Sequence, residues 1–149
     1  MAQPAKSIVL LPNAARTTTG TGNQVIQIED YTSCIIMLDV STTPSGTSPT
    51  LNVRIQQGIL DDGGATNSGD KALGSAVWDD FLSFAQVTAT GKRFMRIVGG
   101  GNLESASSAN ALAAGTIRNG PLGSIWRVAW VTGGTNPNFT FDVDVQLIP

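Results

Sequence analysis

The sequence predicts an all-β fold, an antiparallel β-sandwich or jelly-roll-like barrel with an N-terminal arm and one short helix. Short runs of β-branched and aromatic residues recur from end to end, separated by clusters of Gly, Pro, Asn and Asp. Several runs alternate apolar and polar residues with period two, as strands with one buried face do. The length of 149 residues fits one domain, which we expect to comprise an arm at residues 1–7 and a single β domain at residues 8–149.

The predicted strands are short apolar runs bounded by turn residues. In chain order they are residues 7–11, 24–29, 33–40, 51–55, 77–87, 92–98, 124–131 and 139–148. About eight strands suit a sandwich or a jelly roll. The last strand is the clearest, because Phe139, Phe141 and Val143 alternate with polar residues that include Asp142 and Asp144. The run at 124–131 is denser in apolar residues, which predicts a strand covered on both faces or an interface.

Four segments interrupt the strand pattern. Residues 43–46 and 133–137 contain Pro and Gly and are predicted turns, the second joining the strand of Trp130 to that of Phe139 as a hairpin. Residues 61–74 are rich in Asp, Gly and Asn and predict a loop. Residues 99–123 are rich in small residues, and the Ala and Leu content of 103–114 predicts the short helix.

Composition excludes several classes of function. The chain has no histidine, which excludes Ser-His-Asp, Cys-His and histidine-zinc chemistry. Its single cysteine, Cys34, lies in an apolar run and is interpreted as a core residue. A net charge of −2 and the absence of any long basic run argue against nucleic acid as a partner. No apolar stretch is long enough to cross a membrane, so we expect no membrane partner.

Acidic residues are the remaining candidates for chemistry. Residues 61–70 offer oxygen ligands for calcium, but their spacing does not match an EF-hand, and a solvated hairpin loop is favoured. Asp79 and Asp80 are adjacent and would point to opposite faces of a strand, whereas Asp142 and Asp144 would share a solvated face. A hydrolase that uses carboxylates alone needs two acids across one cleft. We therefore expect no enzyme activity, no cofactor and no metal site.

The low charge indicates a protein that associates with others. Charged residues make up 13% of the chain, and a surface with little net charge favours association. Trp78, Trp126 and Trp130 are candidates for an aromatic contact platform, although Trp126 and Trp130 share one side of their strand and core packing is the favoured interpretation. A hydrated monomer remains the alternative.

Five segments resemble a known family. They are residues 11–17 (LPNAART), 38–42 (LDVST), 49–56 (PTLNVRIQ), 126–128 (WRV) and 139–148 (FTFDVDVQLI). These segments, in an order that extends over most of the chain, are similar to head decoration (cement) proteins of tailed bacteriophages. The resemblance implies a β-rich subunit, commonly trimeric, that binds the major capsid protein on the outside of the expanded shell and resists internal DNA pressure. It also implies synthesis in the host cytoplasm and a final location on the capsid exterior.

These expectations name candidate partner-binding residues. We expect residues 1–16 to extend onto a neighbour or onto the shell by strand addition, and the denser strands to pack between copies. The candidate contact residues are Lys6, Ile8, Leu10, Arg16, Trp126 and Trp130. The alternative function is a carbohydrate- or receptor-binding β-sandwich module of a virion, in which Trp78 or the long loops would stack against sugars.

Overall fold

The computed structural model describes residues 4–26, 31–60, 76–98, 112–118, 123 and 125–149. Within these residues the fold is all-β and antiparallel, which confirms the predicted class. No helix long and apolar enough to cross a membrane occurs in the described part of the chain. The strands are β1 (Lys6–Arg16), β2 (Gly20–Thr21), β3 (Val25–Ile26), β4 (Ser33–Val40), β5 (Ser45–Leu60), β6 (Ala76–Ser83), β7 (Gly91–Val98), β8 (Thr116–Ile117) and β9 (Ile125–Ile148).

The long strand β9 is the centre of the fold. Its C-terminal half pairs with β1 on one side and β4 on the other, and β4 pairs in turn with β7; these strands form sheet A. Its N-terminal half pairs with β2 and β3 on one side and β5 on the other, and β6 and β8 continue from β5; these strands form sheet B. One strand therefore runs through both sheets, and the sandwich is a single sheet folded across its strands.

The fold line lies where a hairpin was predicted, and that prediction is wrong. Residues 133–137 do not reverse the chain; β9 continues through them and pairs with the start of β5, from Ser45 to Thr50. Both strands show register shifts there, and both carry residues with positive φ: Gly46 and Ser48 on β5, Gly134 and Asn136 on β9. Gly and Asn adopt this conformation easily, so the two strands bend together instead of turning back.

The core lies between the two layers of the folded sheet. β4 alternates buried and half-buried residues along its whole length, with Ile36 and Leu38 completely buried, and its bounds match the predicted 33–40. Leu51 and Val53 of β5 face them from sheet B in the same core cluster. Apolar burial between two sheets is the main stabilising contribution expected for such a sandwich.

Other predicted bounds differ in detail. Residues 6–7, expected in the arm, are paired in β1, so of the predicted arm only residues 4–5 are described outside a strand. The strand predicted at 77–87 ends at Ser83, and Val87 forms an isolated bridge with Leu51. The predicted strand at 24–29 is present as β3, with residues 27–30 outside the described part. The loop at 61–74 and residues 103–111 of the predicted helix also lie outside it, and 112–114 are not helical.

Candidate protein-binding face

The outward face of sheet A is a regular grid of side chains. In antiparallel sheets, directly paired residues project on the same side, so the register defines rows across the strands. The middle row runs Val9, Asp144, Met37, Phe94, from β1 through β9 and β4 to β7. The row toward one end of the strands is Ser7, Gln146, Ile35 and Arg96, and the row toward the other end includes Asp142, Asp39 and Lys92.

A groove of about 410 Å³ crosses this face. It is lined by residues from all four strands of sheet A. The chemistry of the lining is mixed, with apolar side chains and one carboxylate, that of Asp144. Its residues are Ser7, Ile8, Val9, Ile35, Met37, Phe94, Asp144, Val145 and Gln146.

Two large apolar side chains are unusually exposed at the edges of this groove. Val9 is 59% exposed on β1, and Phe94 is 55% exposed on β7. They lie at opposite ends of the middle row, with half-buried Met37 between them. Apolar groups arranged in this way within a polar surround are typical of protein-binding surfaces.

Three carboxylates lie close together on the sheet A face, one in the middle row and two in the adjacent row. Asp39 and Asp142 are directly opposite each other on β4 and β9, an arrangement in which like charges repel, and Asp144 follows two residues along β9. Lys92 forms an ion pair with Asp39. Burial raises the pKa of Asp142 above its ordinary value, and repulsion from Asp144 and Asp39 raises it further. The described residues contain no group of acidic or cysteine side chains arranged to hold a metal ion.

Three of the four candidate contact residues in β1 lie near its start and occupy different environments. Lys6 is exposed and pairs with Leu147, whereas Ile8 is half-buried and packs against the core. Leu10 is only 3% exposed and belongs to the core cluster. Leu10 therefore cannot contact a partner in this fold, because its side chain lies between the sheets.

The side chains of Arg16 and Trp130, both candidate contact residues, contact each other within the chain. The Arg16 guanidinium lies 5.0 Å from the Trp130 ring centroid and 4.5 Å from that of Phe141. It donates hydrogen bonds to the backbone carbonyls of Pro12, Ala14 and Phe141, and the Trp130 indole donates to the carbonyl of Thr18. Partial burial lowers the pKa of Arg16, which attraction to Asp142 opposes. These contacts join the N-terminal strands to the fold line of β9.

Trp126 is a core residue. It is completely buried, its ring lies 4.8 Å from that of Phe81, and its indole N–H donates to the carbonyl of Gly123 at 2.7 Å. Trp126 and Trp130 do face the same side of β9, as predicted, and that side is the interior. The expectation that Trp126 is a contact residue is therefore wrong, since its side chain has no exposed surface.

The outward face of sheet B carries a polar network instead of an apolar groove. Arg127 stacks 4.2 Å from the Trp78 ring centroid and donates to Gln56, which donates to Asp80. Asp80 is 2% exposed and also accepts from the backbone N–H of Leu112 and pairs with Arg54. The neighbouring carboxylate at 79 accepts two hydrogen bonds from Arg118. Asp79 and Asp80 thus have separate partners and form no carboxylate pair across a cleft.

The sequence reasoning missed the apolar residues of the sheet A face. Val9, Met37 and Phe94 lie in strands that were predicted, but their rows depend on the register between strands distant in sequence. One signal was available in the sequence. Because Ile35 and Met37 are apolar, the run at 34–38 has apolar side chains on both faces of the strand, a pattern that indicates a strand covered on both faces. Sheet B covers only the inner side of β4, so the outer side of that run is a surface.

Comparison of the chain with protein-family models, with curated proteins and with solved structures gave no match. The resemblance to phage decoration proteins therefore stays a prediction.

Proposed function

We propose that the chain is a structural virion protein that binds the outside of an expanded tailed-phage capsid as an oligomer, a trimer by resemblance, and stabilises the shell. The observation that carries the proposal is the outward face of sheet A, where exposed Val9 and Phe94 flank a groove across four strands. A sheet face with a partly apolar groove across four strands offers a broad contact area for a protein partner.

The mode of attachment in this proposal is the sheet A face and not strand addition by residues 1–16. Lys6–Arg16 is paired along one edge with β9 of its own chain, so these residues do not extend freely onto a neighbour. Strand addition could use only the opposite edge of β1, and it would leave the exposed side chains of Val9 and Phe94 uncovered. Binding through side chains of the groove leaves the fold intact and agrees with the low charge of the chain.

The test is co-sedimentation with undecorated, expanded heads of the phage whose genome encodes the chain, titrated to saturation. We expect a fixed number of copies per capsid subunit, with light scattering of the free protein giving its oligomeric state. Failure to bind these heads would overturn the proposal. A monomer in solution that still saturates the heads would overturn the trimer alone.

A pair of valines provides a matched comparison for this test. Val9→Ser removes an apolar group from the sheet A face, and Val77→Ser removes one of nearly equal exposure, 56%, from β6 in sheet B. Both substitutions are on the surface and should change stability by no more than about 0.5 kcal/mol. Val9→Ser should weaken head binding about tenfold, as loss of an apolar contact at an interface does, and Val77→Ser should leave it unchanged.

A second candidate is glycan recognition at the outward face of sheet B. The observation in its favour is half-buried Trp78, whose ring lies beside the guanidinium of Arg127. Aromatic rings next to planar polar groups are suited to sugars. Binding of the native chain to a glycan panel, abolished by Trp78→Ala, would support this candidate; no binding across the panel would exclude it.

A further inference from the structure

The length of the middle row of the sheet A face can be compared with the spacing of apolar groups in a ligand. Neighbouring strands lie about 4.8 Å apart, so the four residues from Val9 to Phe94 span about 14 Å. The two ends of the row are apolar, and the carboxylate of Asp144 is the charged group inside it. A ligand that fills the groove must therefore place apolar groups about 14 Å apart, with a group between them that suits a carboxylate.

An extended polypeptide laid across the strands meets this requirement. In an extended chain every second side chain points to the same side, and residues four apart are separated by about 13 Å. With its first inward side chain over Val9, its third falls over Phe94. The second falls between β9 and β4, next to Asp144 and Met37. A helix presents its side chains over shorter intervals and fits the row less well.

The negative charge of the sheet A face determines which kind of ligand side chain suits the middle position of the groove. Asp39, Asp142 and Asp144 lie together, and Lys92 is engaged with Asp39. In the described part of the chain, neither Asp142 nor Asp144 makes a hydrogen bond or an ion pair at contact distance. A second copy presenting the same face would bring carboxylates against carboxylates, and a nucleic acid would bring phosphates. A cationic side chain compensates this charge, so the occupant is basic at its middle position.

We infer that the groove binds an extended segment of the shell protein in which an apolar residue, a Lys or Arg, and a second apolar residue occupy alternate positions. This inference rests on the proposed function for the identity of the partner. The segment lies across the strands of sheet A, its apolar side chains contact Val9 and Phe94, and its cation pairs with Asp144.

The test uses a capped heptapeptide, Ser-Leu-Thr-Lys-Thr-Leu-Ser, titrated into the full chain and followed by two-dimensional NMR. Two further peptides carry Gln or Glu in place of Lys. We expect shift changes confined to the outward residues of sheet A with the Lys peptide, binding about fivefold weaker with Gln, and none with Glu. Asp144→Asn should weaken the Lys peptide about fivefold and leave the Gln peptide unchanged, and Val77→Ser should change neither.

The outcomes separate this inference from the proposed function. No shift changes at about 5 mM Lys peptide, or equal binding of the Lys and Glu peptides, would overturn the inference. If heads still co-sediment with the chain in that case, the proposed function stands and a different surface feature of the shell is bound. If the peptide binds as expected but the heads do not, the partner is a basic extended segment of another protein, and the proposed function fails.

Discussion

The rings of Trp130 and Phe141 pack edge to face with their centroids 5.9 Å apart, although both residues belong to β9. In a straight strand, residues separated by this much sequence would lie about 36 Å apart. The contact is possible because β9 bends at 133–138 and brings its two halves onto opposite layers of the sandwich. A single strand thus packs against itself across the core.

Arg16 should stabilise this bend. Arg16→Lys keeps the charge but loses the planar group that reaches three carbonyls and two rings. We expect a loss of about 1 to 2 kcal/mol in the free energy of unfolding, measured by urea denaturation. The matched control is Arg93→Lys, since Arg93 donates only to the carbonyls of Gly91 and Ala89 nearby in its own segment. Equal effects of the two variants would contradict a special role for Arg16.

Gly46 and Gly134 should both resist substitution by alanine. Each has a positive φ, and a Cβ atom at Gly46 would lie 2.5 Å from the carbonyl oxygen of Asn136, while one at Gly134 would lie 2.6 Å from that of Ser48. Gly91→Ala is the control, because Gly91 also has a positive φ but has no atom within 4 Å of the added Cβ. We expect about 1 kcal/mol for the control from backbone strain, and at least about 3 kcal/mol for the other two. Equal losses of unfolding free energy in all three alanine variants would contradict an effect of crowding at the bend.

Compared with a neutral side chain at position 142, the carboxyl group of Asp142 should lower the free energy of unfolding at neutral pH but not at acid pH. Its pKa is raised in the folded state, by burial first and then by Asp144 and Asp39, while Lys92 and Arg16 oppose the shift. The folded state therefore holds this proton more tightly than the unfolded state does, and stability falls as the pH rises above the ordinary aspartate value. Asp142→Asn should be more stable than the parent chain near pH 7.

The gain from Asp142→Asn should vanish when the pH falls below the ordinary aspartate pKa of about 3.9, because the carboxyl is then protonated in both states. Urea midpoints of variant and parent across this range provide the measurement. Added salt should reduce only the part caused by Asp144 and Asp39, since screening does not affect burial. A variant that is less stable than the parent near pH 7 would contradict the raised pKa.

Cys34 should be unreactive in the folded protein. It is 1% exposed, and burial raises the pKa of its thiol to about 12, so the reactive thiolate is scarce at neutral pH. A thiol-specific reagent should label the chain in strong denaturant and leave the native chain unlabelled over hours. Labelling of the native protein at the rate of a free thiol would show that sheet A opens near β4.

Asp80 should contribute more to stability than its neighbour Asp79. Asp80 is buried and holds Gln56, Arg54 and the backbone at Leu112, so Asp80→Ala leaves several buried groups without a partner. We expect a loss of about 2 to 4 kcal/mol in unfolding free energy. Asp79→Ala breaks a partly exposed pair with Arg118 and should lose about 1 kcal/mol or less. A larger loss at Asp79 would contradict this order.

The strands that were predictable from sequence are those whose alternation of apolar and polar residues lies within one continuous segment of the chain. The alternation at 33–40 and at 139–148 depends on burial of one face; β4 has the predicted bounds, and residues 139–148 are the C-terminal part of the longer strand β9. The bend was not predictable, because Gly and Pro residues at 133–137 are compatible with a turn or with a coordinated bulge. The choice between them is made by the partner strand, where Gly46 and Ser48 bend at the same level.

The candidate face was harder to predict than the fold. Val9, Asp144 and Phe94 form one row only through the register of four strands that are far apart in the sequence. Sequence reasoning selected large or charged side chains instead, and Trp126 and Leu10 proved to be core. Parity within a strand indicates which residues share a face, but not which face of the sheet another layer covers.

The central position of β9 has a consequence for how the protein is made. β9 follows every other described strand in the chain, yet β1, β2, β3, β4 and β5 all pair with it. A chain emerging from the ribosome can form the β4–β7 and β5–β6 ladders early, but β1 must wait for residues more than a hundred positions later. Pairings this distant in sequence make folding slow, and the waiting strand edges are open to other chains. Folding should therefore be completed only once β9 has been made, in a single late step in which β9 inserts between strands that are already present.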